Sequence, residues 1–273
     1  VYRPFFTCVL KNNRRLLENN LLLKNNRYEI DFDDLSEKAS NKKTKLFLFC
    51  SPHNPTGRVW TKKELQKISE ICIKNDVVIV SDEIHSDLTW RGFKHIPLCK
   101  ISKKIQEKTI ISSAPCKAFN IAGLNVAYLI APNKDLRYAL KKYITKLSIE
   151  GLNIFAGEAL IAAYNNGERW LNAALKYIQE NYYFLENYLA KYLPKLKVIK
   201  PEATYLVWLD FREFNLTPEE LNELILYKAK LALNDGRMFS NTQGAGFQRI
   251  NIACSRKLLK IALDKLIHAL KKY

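Results

Sequence analysis

Apolar residues along the chain fall into short unbroken runs, separated by longer stretches with helical spacing. Residues 45–50 (Lys-Leu-Phe-Leu-Phe-Cys) form an apolar run of strand length, followed by the turn Ser51-Pro52-His53-Asn54-Pro55-Thr56-Gly57. Thr61 with Glu64 three residues on makes a capping box, which predicts a helix to about Asn75. Residues 77–80 predict the next strand, ended by Ser81-Asp82-Glu83, and residues 109–112 a third. Residues 126–130 predict a further strand and 134–146 a helix. Strands that are apolar throughout and alternate with helices indicate a parallel sheet covered on both faces.

Beyond residue 152 the pattern changes. Two long helical stretches, 152–165 and 168–192, carry leucines and aromatics at helical spacing, a stripe that suits a core or a subunit interface. Residues 204–210 then read as a strand, Thr217-Pro218-Glu219-Glu220 as a helix start, and 247–254 as a strand. Ser255 caps a C-terminal helix. The expected architecture is α/β: a three-layer, mainly parallel sheet in a large domain (residues 1–165), and a smaller C-terminal α+β domain (166–273).

Composition narrows the class. A chain of 273 residues with 48% hydrophobic and 11% aromatic content is globular. The 44 basic against 27 acidic residues give a formal charge of +17. The basic residues spread through almost every helix without aromatic clustering, so we expect solvated faces, some affinity for anionic substrates, and no nucleic-acid partner. Cys8, Cys50, Cys72, Cys99, Cys116 and Cys254 show no CxxC pairing, and the four histidines show no ligand spacing. Reduced thiols in a cytoplasmic protein are therefore expected, with no metal. No apolar segment is long enough to span a bilayer.

The chemistry concentrates where strands end. In open α/β sheets, ligands bind beyond the carboxyl ends of the strands, and Asn54, Asp82 and Lys117 each follow such an end. Lys117 lies between Cys116 and Ala118 with no carboxylate nearby in sequence. An amine in apolar surroundings loses solvation of its charged form and becomes usable as a nucleophile or base. Singly, each residue has a plainer reading. Lys117 could snorkel from a strand end, Asp82 could cap a turn, Asn54-Pro55-Thr56-Gly57 could be only a turn, His85 could be a satisfied core histidine, and Arg249 could face solvent. Together they are the set a pyridoxal phosphate enzyme needs: a lysine to carry the cofactor, an acid at the pyridine nitrogen, and donors at the ring hydroxyl. An arginine can take the substrate carboxylate through a two-toothed contact.

Six stretches carry a resemblance: SPHNPTGRVWTKKEL at 51–65, SDEIHSDL at 81–88, SAPCKAFNIAGL at 113–124, PEATYLVWLDF at 201–211, LNDGRMF at 233–239 and GAGFQRINIACSR at 244–256. In these the chain resembles the fold-type I pyridoxal phosphate enzymes of the class I/II aminotransferase superfamily. It is most similar to the MalY/PatB-like cystathionine β-lyase (cysteine C–S lyase) branch, in which histidine stands at the position of His85 where many aminotransferases have tyrosine.

The resemblance implies pyridoxal 5'-phosphate as cofactor, carried by Lys117, which is also the base at the substrate Cα. It places Asp82 at the pyridine nitrogen, Asn54 and His85 at the ring's phenolic oxygen, Arg249 at the α-carboxylate, Tyr2 stacked on the ring and Ser113 near the phosphate. The implied reaction is β-elimination on cystathionine or a related cysteine S-conjugate, giving a thiol, pyruvate and ammonia. The alternatives are an aminotransferase with the same cofactor contacts and a truncated, poorly active or noncatalytic member. A homodimer without membrane contact is also implied. Family members carry a section upstream of Tyr2 that helps hold the phosphate, and Cys116 stands here where serine is usual. We therefore expect a chain short at its N-terminus that binds cofactor weakly.

Overall fold

The computed structural model describes residues 1–240 and 242–273. In chain order the elements are α1 (Pro4–Lys11), β1 (Leu21–Lys24), β2 (Arg27–Ile30), α2 (Phe32–Ser40), β3 (Leu46–Cys50), α3 (Lys62–Lys74), β4 (Val78–Asp82), α4 (Lys103–Gln106), β5 (Thr109–Ser113) and β6 (Tyr128–Ile130). They continue with α5 (Lys134–Lys146), α6 (Ile154–Asn166), α7 (Glu168–Tyr192), β7 (Lys197–Ile199), β8 (Leu206–Asp210), α8 (Pro218–Glu223), β9 (Asn234–Asp235), β10 (Phe247–Asn251) and α9 (Arg256–Leu270).

One sheet has the order β3-β4-β5-β6. β3, β4 and β5 run parallel, with Cys50 opposite Asp82 and Asp82 opposite Ser112, so their carboxyl ends lie level. The strand expected at 77–80 thus extends through Asp82. β6 differs from a parallel neighbour: it runs antiparallel to β5 and is shorter than the expected 126–130. Its connection from β5 contains only a short 3₁₀ turn at Ala122–Leu124. Without a crossover helix the chain returns antiparallel.

α2 and α3 bury Leu35, Leu65 and Ile68 against Phe49, Trp60 and Ile79 of this sheet and its flanking turn. Each such fully buried side chain contributes roughly 1.5–3 kcal/mol. Thr61 and Glu64 close the expected capping box at the start of α3.

The second sheet, β7-β8-β10-β9, is antiparallel throughout. α7 and α9 cover it, burying Tyr182, Leu185, Leu259, Leu263 and Leu266 with Val207, Leu209 and Ile250. Of the aromatics on α7, Tyr182 is core and Phe184 and Tyr188 pack against it, while Trp170, Tyr177, Tyr183 and Tyr192 are exposed. Asn181 on α7 is fully buried yet satisfied, donating to the carbonyls of Ile252 (2.9 Å) and Cys254 (2.8 Å) and accepting from Arg256 Nε (2.6 Å).

The β1–β2 hairpin was not foreseen. Asn25 and Asn26 form its two-residue turn with φ of 48° and 61°, a conformation asparagine tolerates better than most residues. Tyr28 of β2 packs with Trp208, Phe239 and Phe247 of the second half, while Ile30 packs with the first.

The turn after β3 locks the two halves together. Gly57 has φ +69°, and a Cβ there would meet Pro201 Cβ at 2.4 Å, so only glycine permits the approach. Beside it Arg58 is almost wholly buried. It donates to Glu202 Oε2 (2.7 Å), Glu64 Oε1 (2.5 Å) and the Tyr28 carbonyl (2.7 Å). Glu202 also accepts from the Val59 amide at 2.7 Å and from Arg27 Nε at 3.0 Å. Removing one partner of a buried pair leaves the other charge uncompensated. Glu202→Ala is expected to lower unfolding stability by about 3 kcal/mol, read as a fall in the urea midpoint; an unchanged midpoint would contradict this role.

Candidate active site

The strand ends place Asp82, Asn54 and the segment after β5 side by side. Asp82 is the last residue of β4, and its carboxylate accepts the Ile84 amide at 3.2 Å. Burial pushes its pKa up, while the Ile84 amide and the charge of Lys117 act in the opposite direction. Among the described residues no cation pairs with it within ion-pair distance. Lys117 is half-buried, between half-buried Cys116 and buried Ala118, and makes no ion pair among the described residues. Its charge acts on both Asp82 and His85, so these three groups share one space.

His85 is buried and its Nδ1 has no hydrogen-bond partner. Burial, followed by the charges of Lys117 and Arg249, lowers its pKa to about 4, so the ring is neutral near pH 7. Tyr205 stands edge-on to it, with ring centroids 6.4 Å apart.

Asn54 and Arg249 join the halves at the site itself. Arg249, on β10, donates through Nη1 to Asn54 Oδ1 at 2.8 Å and through Nη2 to Asn234 Oδ1 at 2.7 Å. Its guanidinium lies 4.7 Å from the Phe239 ring centroid, and its buried Nε has no partner. Burial lowers its pKa, and among the described residues no carboxylate pairs with it. The solvent-facing alternative for Arg249 is thereby excluded. With its carbonyl oxygen taken by Arg249, Asn54 keeps its amide NH₂ as a donor.

The remaining two residues are less engaged. Tyr2 is 46% exposed and near enough to Arg249 to act on its charge, without an aromatic partner among the described residues. Ser113 is buried, with its hydroxyl directed to the Glu83 carbonyl at 3.4 Å. A cavity of about 1000 Å³ lined by Phe6, Leu21, Phe47 and Phe239, among others, does not include Asp82, Lys117 or Arg249.

Sequence reasoning quoted the stretches holding Tyr205, Asn234 and Phe239 without giving these residues roles. It also passed over Glu83, whose buried carboxylate accepts from the Ser81 hydroxyl (2.9 Å) and the Leu98 amide (3.1 Å) and meets His95 Nε2 at 2.8 Å. That cluster supports the loop following Asp82. The signal available was the second acid of Asp82-Glu83.

The residues fit pyridoxal 5'-phosphate on this structure's own evidence. A half-buried carboxylate lacks a cation, one nitrogen of a buried neutral imidazole lacks a partner, and an arginine lacks an anion, all around one lysine. Among the described residues no group of three His, Cys, Asp or Glu side chains is placed to hold a metal ion, and no helix is long and apolar enough to cross a membrane.

His85 gives the site a pH signature. Between about pH 6.5 and pH 4 the unfolded chain binds a proton at this ring that the folded chain refuses. Stability is full above that window and falls as pH falls through it, by roughly 3 kcal/mol for this group. His85→Gln is expected to flatten the decline of the urea midpoint between pH 7 and pH 4.5; an identical slope in variant and parent would count against the buried neutral ring.

Comparison with known proteins agrees with this geometry. The chain is 41% identical to cystathionine beta-lyase PatB of Bacillus subtilis over 270 residues, covering 99% of this chain and 70% of that protein. It is 31% identical to protein MalY of Escherichia coli, covering 99% and 68%. The structure of cystalysin from Treponema denticola, which contains a pyridoxal 5'-phosphate cofactor, superposes with a TM-score of 0.97 at 36% identity, covering 100% of this chain and 69% of that one. Residues 12–266 match the family described as aminotransferase class I and II, and the chain belongs to that family.

Proposed function

We propose that this chain is a pyridoxal 5'-phosphate-dependent carbon–sulfur lyase acting on cystathionine or a related cysteine S-conjugate. The observation that carries this reading is Arg249. It is an arginine without a carboxylate partner among the described residues, tied to Asn54 at 2.8 Å beside Asp82, His85 and Lys117.

When bound, pyridoxal 5'-phosphate supplies an electron sink for the charge left at the substrate Cα. Arg249 binds the α-carboxylate, which fixes the orientation of Cα. Lys117 would carry the cofactor, and its amine is the group that would take the substrate Cα proton. Asp82 would hold a proton at the pyridine nitrogen, a task that suits a half-buried carboxylate lacking a protein cation. The Asn54 amide and the His85 ring would hold the phenolic oxygen, Tyr2 would cover the ring, and Ser113 would lie toward the phosphate. The Cβ–S bond then breaks with its electron pair going to sulfur, which takes a proton. The unsaturated amino acid left behind takes up water to give pyruvate and ammonia.

Exposed Tyr138, Tyr143, Ile149, Leu152, Ile154 and Phe155, on α5, α6 and the segment between them, support the expectation of a homodimer. The division into residues 1–165 and 166–273 belongs to the same reading.

An aminotransferase would share the step at Cα but requires a keto-acid acceptor. With excess pyridoxal 5'-phosphate and cystathionine, and no keto acid, the chain is expected to release pyruvate and ammonia in equal amounts. Lys117→Ala should reduce that release by about a thousandfold or more. Absence of pyruvate from the parent chain would sink the lyase reading.

A further inference from the structure

We infer that Asn234 is a positioning residue that aims Arg249 at the substrate carboxylate without neutralising it; this rests on the proposed role of Arg249. Asn234 lies directly opposite Arg249 in the pairing of β9 with β10. Its Oδ1 accepts from Arg249 Nη2 at 2.7 Å, while Asn54 Oδ1 accepts from Nη1 at 2.8 Å and Phe239 holds one face of the plane. Both acceptors are neutral amides. They fix the rotation of the guanidinium and leave its positive charge for an anion. A carboxylate at position 234 would satisfy the arginine and compete with substrate. An apolar side chain would leave Nη2 without a partner and the plane free to turn.

The neighbouring residue shows the contrast. Asp235 pairs with Arg237 through Nε at 2.9 Å and Nη2 at 2.8 Å, and that arginine is committed to structure. Asn234 itself is held by strand pairing and does not depend on bound ligand.

The test uses S-benzyl-L-cysteine and its carboxamide, which differ only at the α-carboxylate, with the chain in excess pyridoxal 5'-phosphate. Asn234→Ala is expected to raise KM for the acid about tenfold, with kcat within twofold and no change in KM for the carboxamide. Asn234→Asp keeps the volume and the hydrogen bond, so it answers even where the alanine variant fails to fold. It is expected to weaken the acid more than alanine does and to spare the carboxamide. Calorimetric titration of both compounds in the Lys117→Ala background, where elimination is blocked, gives the same discrimination without turnover. If the parent turns over neither compound, the lyase reading fails and the calorimetric arm alone decides the role of Asn234. Variants that bind the acid like the parent, or that weaken acid and carboxamide equally, overturn the inference.

Discussion

The buried Arg58–Glu202 pair sets the geometry on which the site depends. Arg58 belongs to the turn that follows β3, and Glu202 to the segment that leads into β8. Their contact at 2.7 Å, with Gly57 admitting Pro201 beside it, fixes the β3 turn against the antiparallel sheet. That sheet carries Arg249 on β10, and the β3 turn carries Asn54. The 2.8 Å contact between Asn54 and Arg249 follows from the same docking. A buried ion pair adds little net stability compared with an apolar substitute, yet breaking it is costly. Here its effect is on placement: Arg249 belongs to one half, and Asp82 and Lys117 belong to the other.

Around that junction, charge is arranged by omission. Asp82 has no cation, Arg249 no anion and His85 Nδ1 no partner among the described residues, although all three lie largely inside the protein. Several arginines and acids elsewhere in the protein are paired. Arg58 has two carboxylates, Arg237 has Asp235 and Glu219, and Glu83 has three donors. The unpaired set coincides with the level ends of β4 and β5 and with Lys117. A ligand carrying both a cationic ring nitrogen and a carboxylate would complete it.

Much of this was legible in sequence because it rests on local rules. The capping box at Thr61, the helix start at Thr217 and the helix over 168–192 are set by residues within one or two turns of each other. The apolar runs at 45–50 and 109–112 formed strands, and their ends carry the expected residues. Four-residue strands flanking Asn25-Asn26 are too short for periodicity to register, although two consecutive asparagines between Lys24 and Arg27 are a turn signal. The reversal of β6 depends on the length of a connection, and the partners of Arg249 depend on residues fifteen and almost two hundred positions away. Those are tertiary facts. Asn234 and Glu83 act through such contacts, which their neighbours in sequence do not signal.

The central claim is that Lys117 is the amine at the junction of these unpaired groups. Borohydride reduction of the chain after incubation with a small excess of pyridoxal 5'-phosphate, followed by peptide mass mapping, tests it directly. The reduced cofactor should sit on the peptide containing Lys117, whatever occupancy is reached. Label on another lysine, or spread evenly over the surface lysines, would contradict the account.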